Sequence, residues 1–445
     1  MGFPSRGSLF HLDLLTTLQK ALLGLLLYPI VRSESPADIQ YKQLGTLLEN
    51  PMRTIAALLL LSLLTACGSS VEPSALKLDH TPPPLFEDRT LDRVTFLTSH
   101  NAFANEIKFI ALNQEHTITE QLENDNVRGL MLDIYTQDGQ AALCHPKCKI
   151  PILNISTWRP LSDDLKQIED FMKKDPRAII TLHLEWTSGS DGARADLFEA
   201  AFDKLPDLKN MIFDPYKADV KANGWPKIRD MIASNKRLLI LSQSDSTRGM
   251  GVGYDRDFVV ENYWSMGPLA QDRECRSRWN EIPLDRESSS AHKFRRLFIM
   301  NHFRDIPSSL TAAIDNTWDS LWGRVTTDCL VKARRIPNYI ALDYVNKGTG
   351  HETVDALNRA IGIAFEHGSW QGQTHLMMPG NEDIEGGDGK LQDNAMSSVE
   401  IFWKGSRVAL FDNKQQEGFL LDVNETMQNL PREFNDRVSS WRVDN

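Results

Sequence analysis

Two histidines, an amide and a carboxylate fall close together in the chain, each at the end of an apolar run. His100 and Asn101 lie in LTSHNAFAN (97–105), Asp133 in GLMLDIY (129–135) and His145 in LCHPKC (143–148). Imidazole titrates near neutral pH, so two of them can take a proton from one oxygen and give one to another. A carboxylate beside an imidazole fixes its tautomer and stabilises its charged form. Cleaving a phosphodiester with an internal hydroxyl needs these parts, together with a cationic group that offsets the phosphate charge. Asn101, Asp133 and, further on, Glu185 are oxygen donors suited to Ca²⁺, and Arg304 is an alternative cation. A lone histidine is more often a satisfied surface or core residue, the reading given to His183 or His302.

Short apolar, β-rich runs must position these groups. They cover 94–98, 127–134, 141–145, 178–185, 237–243, 257–263, 296–301 and 339–344, mostly with helical patterns between them. The stretch 162–173 is one such helix, with Ser162 as N-cap and Leu161, Leu165, Ile168 and Phe171 on one face. Asp138-Gly139 marks a tight turn between the second and third strands. The pattern predicts an α/β fold, a distorted TIM (β/α)8 barrel over 88–361. His100 and Asn101 then end strand one, Asp133 strand two, His145 strand three, Glu185 strand four and Asp343 strand eight, the barrel face that carries chemistry.

Beyond the helix 353–361, which Gly362 is expected to cap, the period changes. Residues 362–445 hold an internal repeat: Phe365 with Gly372 echoes Phe411 with Gly418, and DNAMSS (393–398) echoes NDRVSS (435–440). Two β-rich copies predict two Greek keys packed as a small all-β sandwich.

The 445 residues suggest two or three domains, and 41% hydrophobic with 24% charged residues is ordinary for a globular protein. A net charge of −11 argues against a nonspecific nucleic-acid binder but leaves room for a local basic pocket. Met52-Arg53, the apolar run Ile55–Leu64 and Leu64-Thr65-Ala66-Cys67 have the layout of a signal peptide. The last four residues resemble a bacterial lipobox, which makes Cys67 the lipidation site and 52–67 the signal. Residues 1–51 are then a mis-assigned upstream extension, and 68–87, with Pro82-Pro83-Pro84, a tether. Ser69, with no Asp beside Cys67, points by analogy to the outer membrane of the bacterial envelope. Export leaves Cys144, Cys148, Cys275 and Cys329, an even number; pairing 144–148 and 275–329 is expected among three possible connectivities.

At SHNAFA (99–104), QL with VRGLMLDIY (121–135), LCH with Cys148, NGWPKIRDMI (223–232), VVENYW (259–264), MNHFR (300–304) and PNYIALDYV (337–345), the sequence resembles the phosphatidylinositol-specific phospholipase C X-domain superfamily of PLC-like phosphodiesterases. The resemblance implies His100 as general base on the inositol 2-hydroxyl, Asp343 as its partner, and His145 as the acid for the diacylglycerol oxygen. A 1,2-cyclic inositol phosphate would be the first product. Tyr135 stands where metal-independent bacterial members place Arg, and Met131 where calcium-dependent members place Glu. Asn101, Asp133 and Glu185 match the remaining calcium positions, so a Ca²⁺-assisted site is expected, with Tyr135 and Arg304 at the substrate.

The tail resembles βγ-crystallin Greek keys. Phe365, Trp370 and Gly372 match the family's aromatic corner; the second copy has Gln416 at the second aromatic position. Both hexapeptides fit the family's calcium motif, with Asp393, Asn394, Ser397, Asn435, Asp436 and Ser439 as ligands. The leading expectation is a lipid-anchored phosphodiesterase acting on membrane phosphoinositides or related glycerophospholipids. A glycerophosphodiester phosphodiesterase is the enzymatic alternative, and a catalytically silent Ca²⁺-binding surface lipoprotein the non-enzymatic one. Oligomeric state is not readable.

Overall fold

The computed structural model describes residues 86–445 apart from 107–108, 110–111, 146, 151–154, 286–293, 387–389, 403–405 and 445. The expected extension 1–51, the signal with Cys67, and nearly all of the tether lie outside the described residues.

Leaving aside four two-residue strands, the described residues of the first part form β1 (Phe96–Ser99), β2 (Gly129–Gln137), β3 (Gln140–Leu143), β4 (Ile180–Trp186), β5 (Leu238–Ser242), β6 (Gly253–Tyr254), β7 (Val259–Glu261), β8 (Leu297–His302) and β9 (Tyr339–Leu342). All but β3 form a parallel path in the order β6-β5-β4-β2-β1-β9-β8-β7. Every residue of β1, β5, β8 and β9 is buried. Continuous apolar runs of this kind belong to parallel sheets covered on both faces. One covering element is the helix Leu161–Lys174, which buries Leu161, Leu165, Ile168 and Phe171.

Several expectations are corrected here. The third predicted strand, 141–145, is not a stave of a barrel: β3 runs antiparallel to β2. Asp138 and Gly139 both have positive φ, 50° and 73°, which gives the tight two-residue hairpin that only antiparallel strands can use. The eighth parallel strand is instead β6. The path is also open, because β6 and β7 are its two ends, joined by the single helical turn Asp255–Phe258. Ser162 is not an N-cap; the helix begins at Leu161 after Pro160, with no side-chain cap. Nor does Gly362 cap the preceding helix, which spans Gly350–Arg359 and ends on Ala360. Gly362 begins the next strand, where a Cβ would lie 2.0 Å from the Glu400 carbonyl oxygen.

The tail holds β10 (Gly362–His367), β11 (Gln371–Met377), β12 (Gly380–Asp383), β13 (Ser398–Ile401), β14 (Arg407–Phe411), β15 (Phe419–Val423) and β16 (Ser440–Asp444). One sheet has the order β11-β10-β13 and the other β12-β16-β14-β15. The third strand of the first repeat thus crosses to the second repeat's sheet, and the bridge Val399–Met427 returns the exchange. The corners repeat in detail. Ser369 and Trp370 have φ of 58° and 61°, and Gln415 and Gln416 60° and 59°. Ser398 Oγ donates to the His367 carbonyl as Ser440 Oγ does to that of Asn413.

The tail packs against the side of the sheet where strands begin. Glu400, fully buried, accepts from Arg295 (2.7 Å) and lies 3.6 Å from Arg93, while Arg295 also donates to Asp92 (3.0 Å). A buried carboxylate needs such pairing, because losing one partner would strand the charge.

Candidate active site

The register brings the first pair together. Ser99 of β1 is level with Leu342 of β9, and Leu342 with His302 of β8. The next residues, His100, Asp343 and Phe303, therefore emerge side by side where these strands end. Nδ1 of His100 donates to Oδ1 of Asp343 (2.8 Å), and Nδ2 of Asn113 donates to the same oxygen (2.8 Å). With the proton on Nδ1, the Nε2 lone pair is left to accept; Asn101 Nδ2 lies 3.2 Å from it. The His100 ring stacks on Phe303 at 3.7 Å and 4°. Gln114 Nε2 ties the carbonyls of His100 (2.8 Å) and Leu342 (3.0 Å). Asn101 and Tyr344, next to the two dyad members, hold left-handed φ of 44° and 48°, a conformation that costs a β-carbon residue of order 1 kcal/mol or more.

His145 reaches the rim by another route. It lies beyond β3, inside the loop closed by the Cys144–Cys148 disulfide, and its Nδ1 donates to Oδ2 of Asp133 (2.9 Å). Asp133 sits in mid-strand rather than at a strand end, because β2 runs on into the hairpin. Burial alone would lower the His145 pKa. The hydrogen bond and charge of Asp133, helped by the charges of Asp343 and Glu185, outweigh it and raise the value above that of ordinary imidazole. Both dyads thus share one electrostatic environment. The second expected disulfide, Cys275–Cys329, is also present.

Glu185 is level with Asp133 across β4 and β2. Its Oε2 accepts from Gln243 (2.9 Å) and lies 3.5 Å from Arg278 Nη2. Burial raises its pKa, as do the charges of Asp133 and Glu261, against the pull of Arg278. Arg278 also donates to both oxygens of buried Glu261 (3.0 and 3.2 Å). Buried Asp255 is held well above the usual carboxylate range, first by burial and then by Glu261.

Arg304, expected at the substrate, is engaged by Asp315 through two hydrogen bonds of 2.6 and 2.8 Å. Tyr135 is half-buried on β2 opposite Ala142, and burial raises its phenol. His183 and His302 are buried and held neutral: burial brings His183 down to about 3 and His302 well below its usual value.

Asn113, Gln114, Phe303 and Arg278 escaped the sequence reading. Phe303 stood in a matched motif, but nothing local marks the other three. The barrel trio fits a hard cation in part. Asn101 Oδ1 is buried without a hydrogen-bond partner, whereas Asp133 spends Oδ2 on His145 and Glu185 spends Oε2 on Gln243. Among the described residues, no cluster of three or more His, Cys, Asp or Glu could hold a metal.

In the tail the two hexapeptides face each other. Ser397 Oγ donates to Asp436 Oδ1 (3.0 Å) and Ser439 Oγ to Asn394 Oδ1 (3.1 Å). Asn394 and Asp436 share a φ of 57°. Asn435 Nδ2 donates to Asp436 Oδ2 (2.7 Å), and Asp393 is exposed. The donors are carboxylate, amide and hydroxyl oxygens, a set suited to a hard cation.

Two histidine–carboxylate pairs on the rim of a parallel α/β sheet place two imidazoles where they can take up and release protons near neutral pH. The PI-PLC X 1 family profile matches residues 86–358, more than half of the chain, and the chain belongs to the PI-PLC X family. A PI-PLC X domain-containing protein of Arabidopsis thaliana is 29% identical over 293 residues, 63% of this chain and 65% of that protein. An uncharacterized secreted protein of Arthroderma benhamiae is 24% identical over 303 residues, 64% of each. The chain therefore spans slightly less than two thirds of these relatives' length. The phosphatidylinositol-specific phospholipase C of Listeria monocytogenes is similar at a TM-score of 0.40 and 14% identity, over 61% of this chain and 95% of that one. A βγ-crystallin domain of Flavobacterium johnsoniae is 20% identical, with a TM-score of 0.18, over 19% of this chain and 93% of that one.

Proposed function

We propose that the protein is an exported phosphodiesterase that cleaves phosphatidylinositol-type glycerophospholipids by transferring the phosphoryl group to a neighbouring hydroxyl. One observation carries the reading: each of two rim histidines donates a hydrogen bond from Nδ1–H to a carboxylate, His100 to Asp343 at 2.8 Å and His145 to Asp133 at 2.9 Å. Nε2 of each ring then faces the chemistry, that of His100 once the Asn101 amide 3.2 Å away gives way to substrate. As the base, His100 takes the proton of the inositol 2-hydroxyl at Nε2. That oxygen bonds to phosphorus, the bond to the diacylglycerol oxygen breaks, and protonated His145 gives that oxygen its Nε2 proton. The products are a 1,2-cyclic phosphate and diacylglycerol. The histidines have then exchanged states, as a later hydrolysis of the ring would require. Family membership supports the reaction class, and the two disulfides together with the secreted relative support export. Lipid anchoring at Cys67 in the outer membrane is part of the same proposal, tested by intact mass of the native protein.

The test is turnover of phosphatidylinositol against glycerophosphocholine. Turnover of the first, abolished in His100→Ala and His145→Ala, is expected. Preference for the second would turn the reading to a glycerophosphodiester phosphodiesterase. No turnover of any phosphodiester would leave the non-catalytic lipoprotein.

Calcium assistance has one observation in its favour, the partnerless Oδ1 of Asn101. Asn101, Asp133 and Glu185 would hold the ion, and it would offset the phosphate charge. Chelator sensitivity reversed by Ca²⁺ is expected; indifference removes the ion. For the tail, the paired hexapeptides support a βγ-crystallin-like calcium module. Calorimetry of the whole protein should register Ca²⁺ binding that Asn394→Ala with Asp436→Ala removes.

A further inference from the structure

Nothing in the His100 dyad itself sets the plane of the imidazole. The torsion that joins a histidine ring to its Cβ is sp³–sp², broad and weakly preferred, so the ring does not orient itself. The hydrogen bond from Nδ1 to Oδ1 of Asp343 (2.8 Å) fixes one atom. A ring attached at Cγ and bonded at Nδ1 still tilts about the line through those contacts, and Nε2 is carried with it. The Asn101 amide, 3.2 Å from Nε2, occupies the side that a substrate hydroxyl must take, so it cannot hold the ring during the reaction.

Phe303 supplies the missing constraint. Its ring lies face to face with that of His100, 3.7 Å between centroids and 4° from parallel. Filling space calls for volume alone, and aromatic pairs commonly meet offset or edge to face, with centroids about 4.5–7 Å apart. Two flat groups coplanar to 4° at this separation leave no room for either to tilt. The platform is itself held. Phe303 is buried and follows β8, whose last residues are tied from both sides. Arg324 Nη1 donates to the Asn301 carbonyl (2.8 Å) and to His302 Nδ1 (3.2 Å), and His302 Nε2 donates to the Asp315 carbonyl (2.8 Å). The Phe303 carbonyl accepts from the Met266 N–H (2.9 Å). Phe303 also lines the cleft beneath the helix Ser309–Asp315, with Ile306, Thr311 and Ala312.

We propose that Phe303 is a positioning residue for His100: its face holds the imidazole plane and thereby aims Nε2 at the substrate hydroxyl, while Asp343 fixes the tautomer. The proposal rests on the phosphodiesterase reading and adds to it a residue that takes no part in proton transfer. A reacting atom displaced by about 1 Å can cost on the order of 10²-fold in rate, so a ring freed to tilt is enough to disable the base without touching the dyad.

The experiment uses the full chain with isotopically labelled histidine, the His100 signals being identified by their loss in His100→Gln. Protons over the face of an aromatic ring resonate upfield, so the His100 ring protons of the wild type should lie upfield of ordinary imidazole. Phe303→Leu should return them to ordinary positions and broaden them, lower kcat on phosphatidylinositol about 10–100-fold, and leave KM unchanged. Phe303→Tyr, which keeps a flat face, should keep both the upfield signals and most of the rate. Phe303→Met, which fills irregular space without a flat face, replaces the leucine variant should that one fail to fold. Ordinary wild-type positions, or a folded leucine or methionine variant with native kcat, overturns the proposal. So does a loss confined to KM, which would make Phe303 a wall of the substrate cleft, and so does a tyrosine variant as slow as the leucine one, which would leave only packing. A wild-type protein that turns over no phosphodiester sinks the phosphodiesterase reading instead, and the His100 signals of the wild type and variants still decide whether Phe303 holds the ring.

Discussion

Replacing Asp343 by Asn isolates the charge of the first dyad from its geometry. In the wild type, Asp343 Oδ1 accepts from both His100 Nδ1 and Asn113 Nδ2, each at 2.8 Å. An amide at 343 must present its oxygen at that position, since turning its NH₂ there would oppose the Asn113 donor. The His100 tautomer is then kept and only the carboxylate charge is lost. Hydrogen bonds to a charged partner are worth about 1.5 kcal/mol more than neutral ones, so kcat/KM should fall only about tenfold. Adding Asn113→Ala releases the amide to rotate. Its NH₂ can then face Nδ1, which moves the ring proton to Nε2 and removes the base. The double variant should fall by about 10⁴-fold, the size of a wrong-tautomer defect, far beyond the product of the single effects. The assay is kcat/KM on phosphatidylinositol for the two single variants and the double, with circular dichroism to confirm folding. An Asp343→Asn protein as inactive as His100→Ala, or a double variant equal to the product of the singles, would refute the reasoning.

Asp133→Asn should move the alkaline limb of the kcat/KM profile to lower pH. The raised His145 pKa keeps the acid protonated to higher pH, and without Asp133 burial prevails. The stability that the raised value contributes is present at low pH and lost as pH rises through it, so the melting gap between wild type and variant should narrow in alkali; an unmoved limb contradicts the assignment. Asp255→Asn should raise the melting temperature more at pH 8 than at pH 4.5, because a buried carboxyl whose folded pKa lies above its unfolded one destabilises the fold once the unfolded state ionises. An equal change at both values would deny that burial. Breaking Cys275–Cys329, whose cysteines are 54 residues apart, should cost about 4 kcal/mol by the chain-entropy relation, measured by denaturant unfolding of Cys275→Ala with Cys329→Ala. Breaking Cys144–Cys148 should cost less stability but more activity, since that loop carries His145.

By itself the sequence determined the parts whose signal is local. Continuous apolar runs marked the buried parallel strands other than β6, and residues at their ends, His100 and Asp343, stood out because a strand's end shows where its run stops. The Asp138-Gly139 turn was legible from two residues. The tail repeat was legible because two copies of one corner keep the same Phe and Gly, 365 with 372 and 411 with 418, and the same Ser, at 398 and 440. Tertiary structure alone decided what depends on which strand lies beside which. Register sets His100, Asp343 and Phe303 at one level, although more than 200 residues separate the first from the other two. Arg278 is aimed at Glu185 and Glu261 from a loop without a motif, and Arg304 is engaged by Asp315. Hydrogen bonds across a sheet pair residues that share no local pattern, so no window along the chain contains that information.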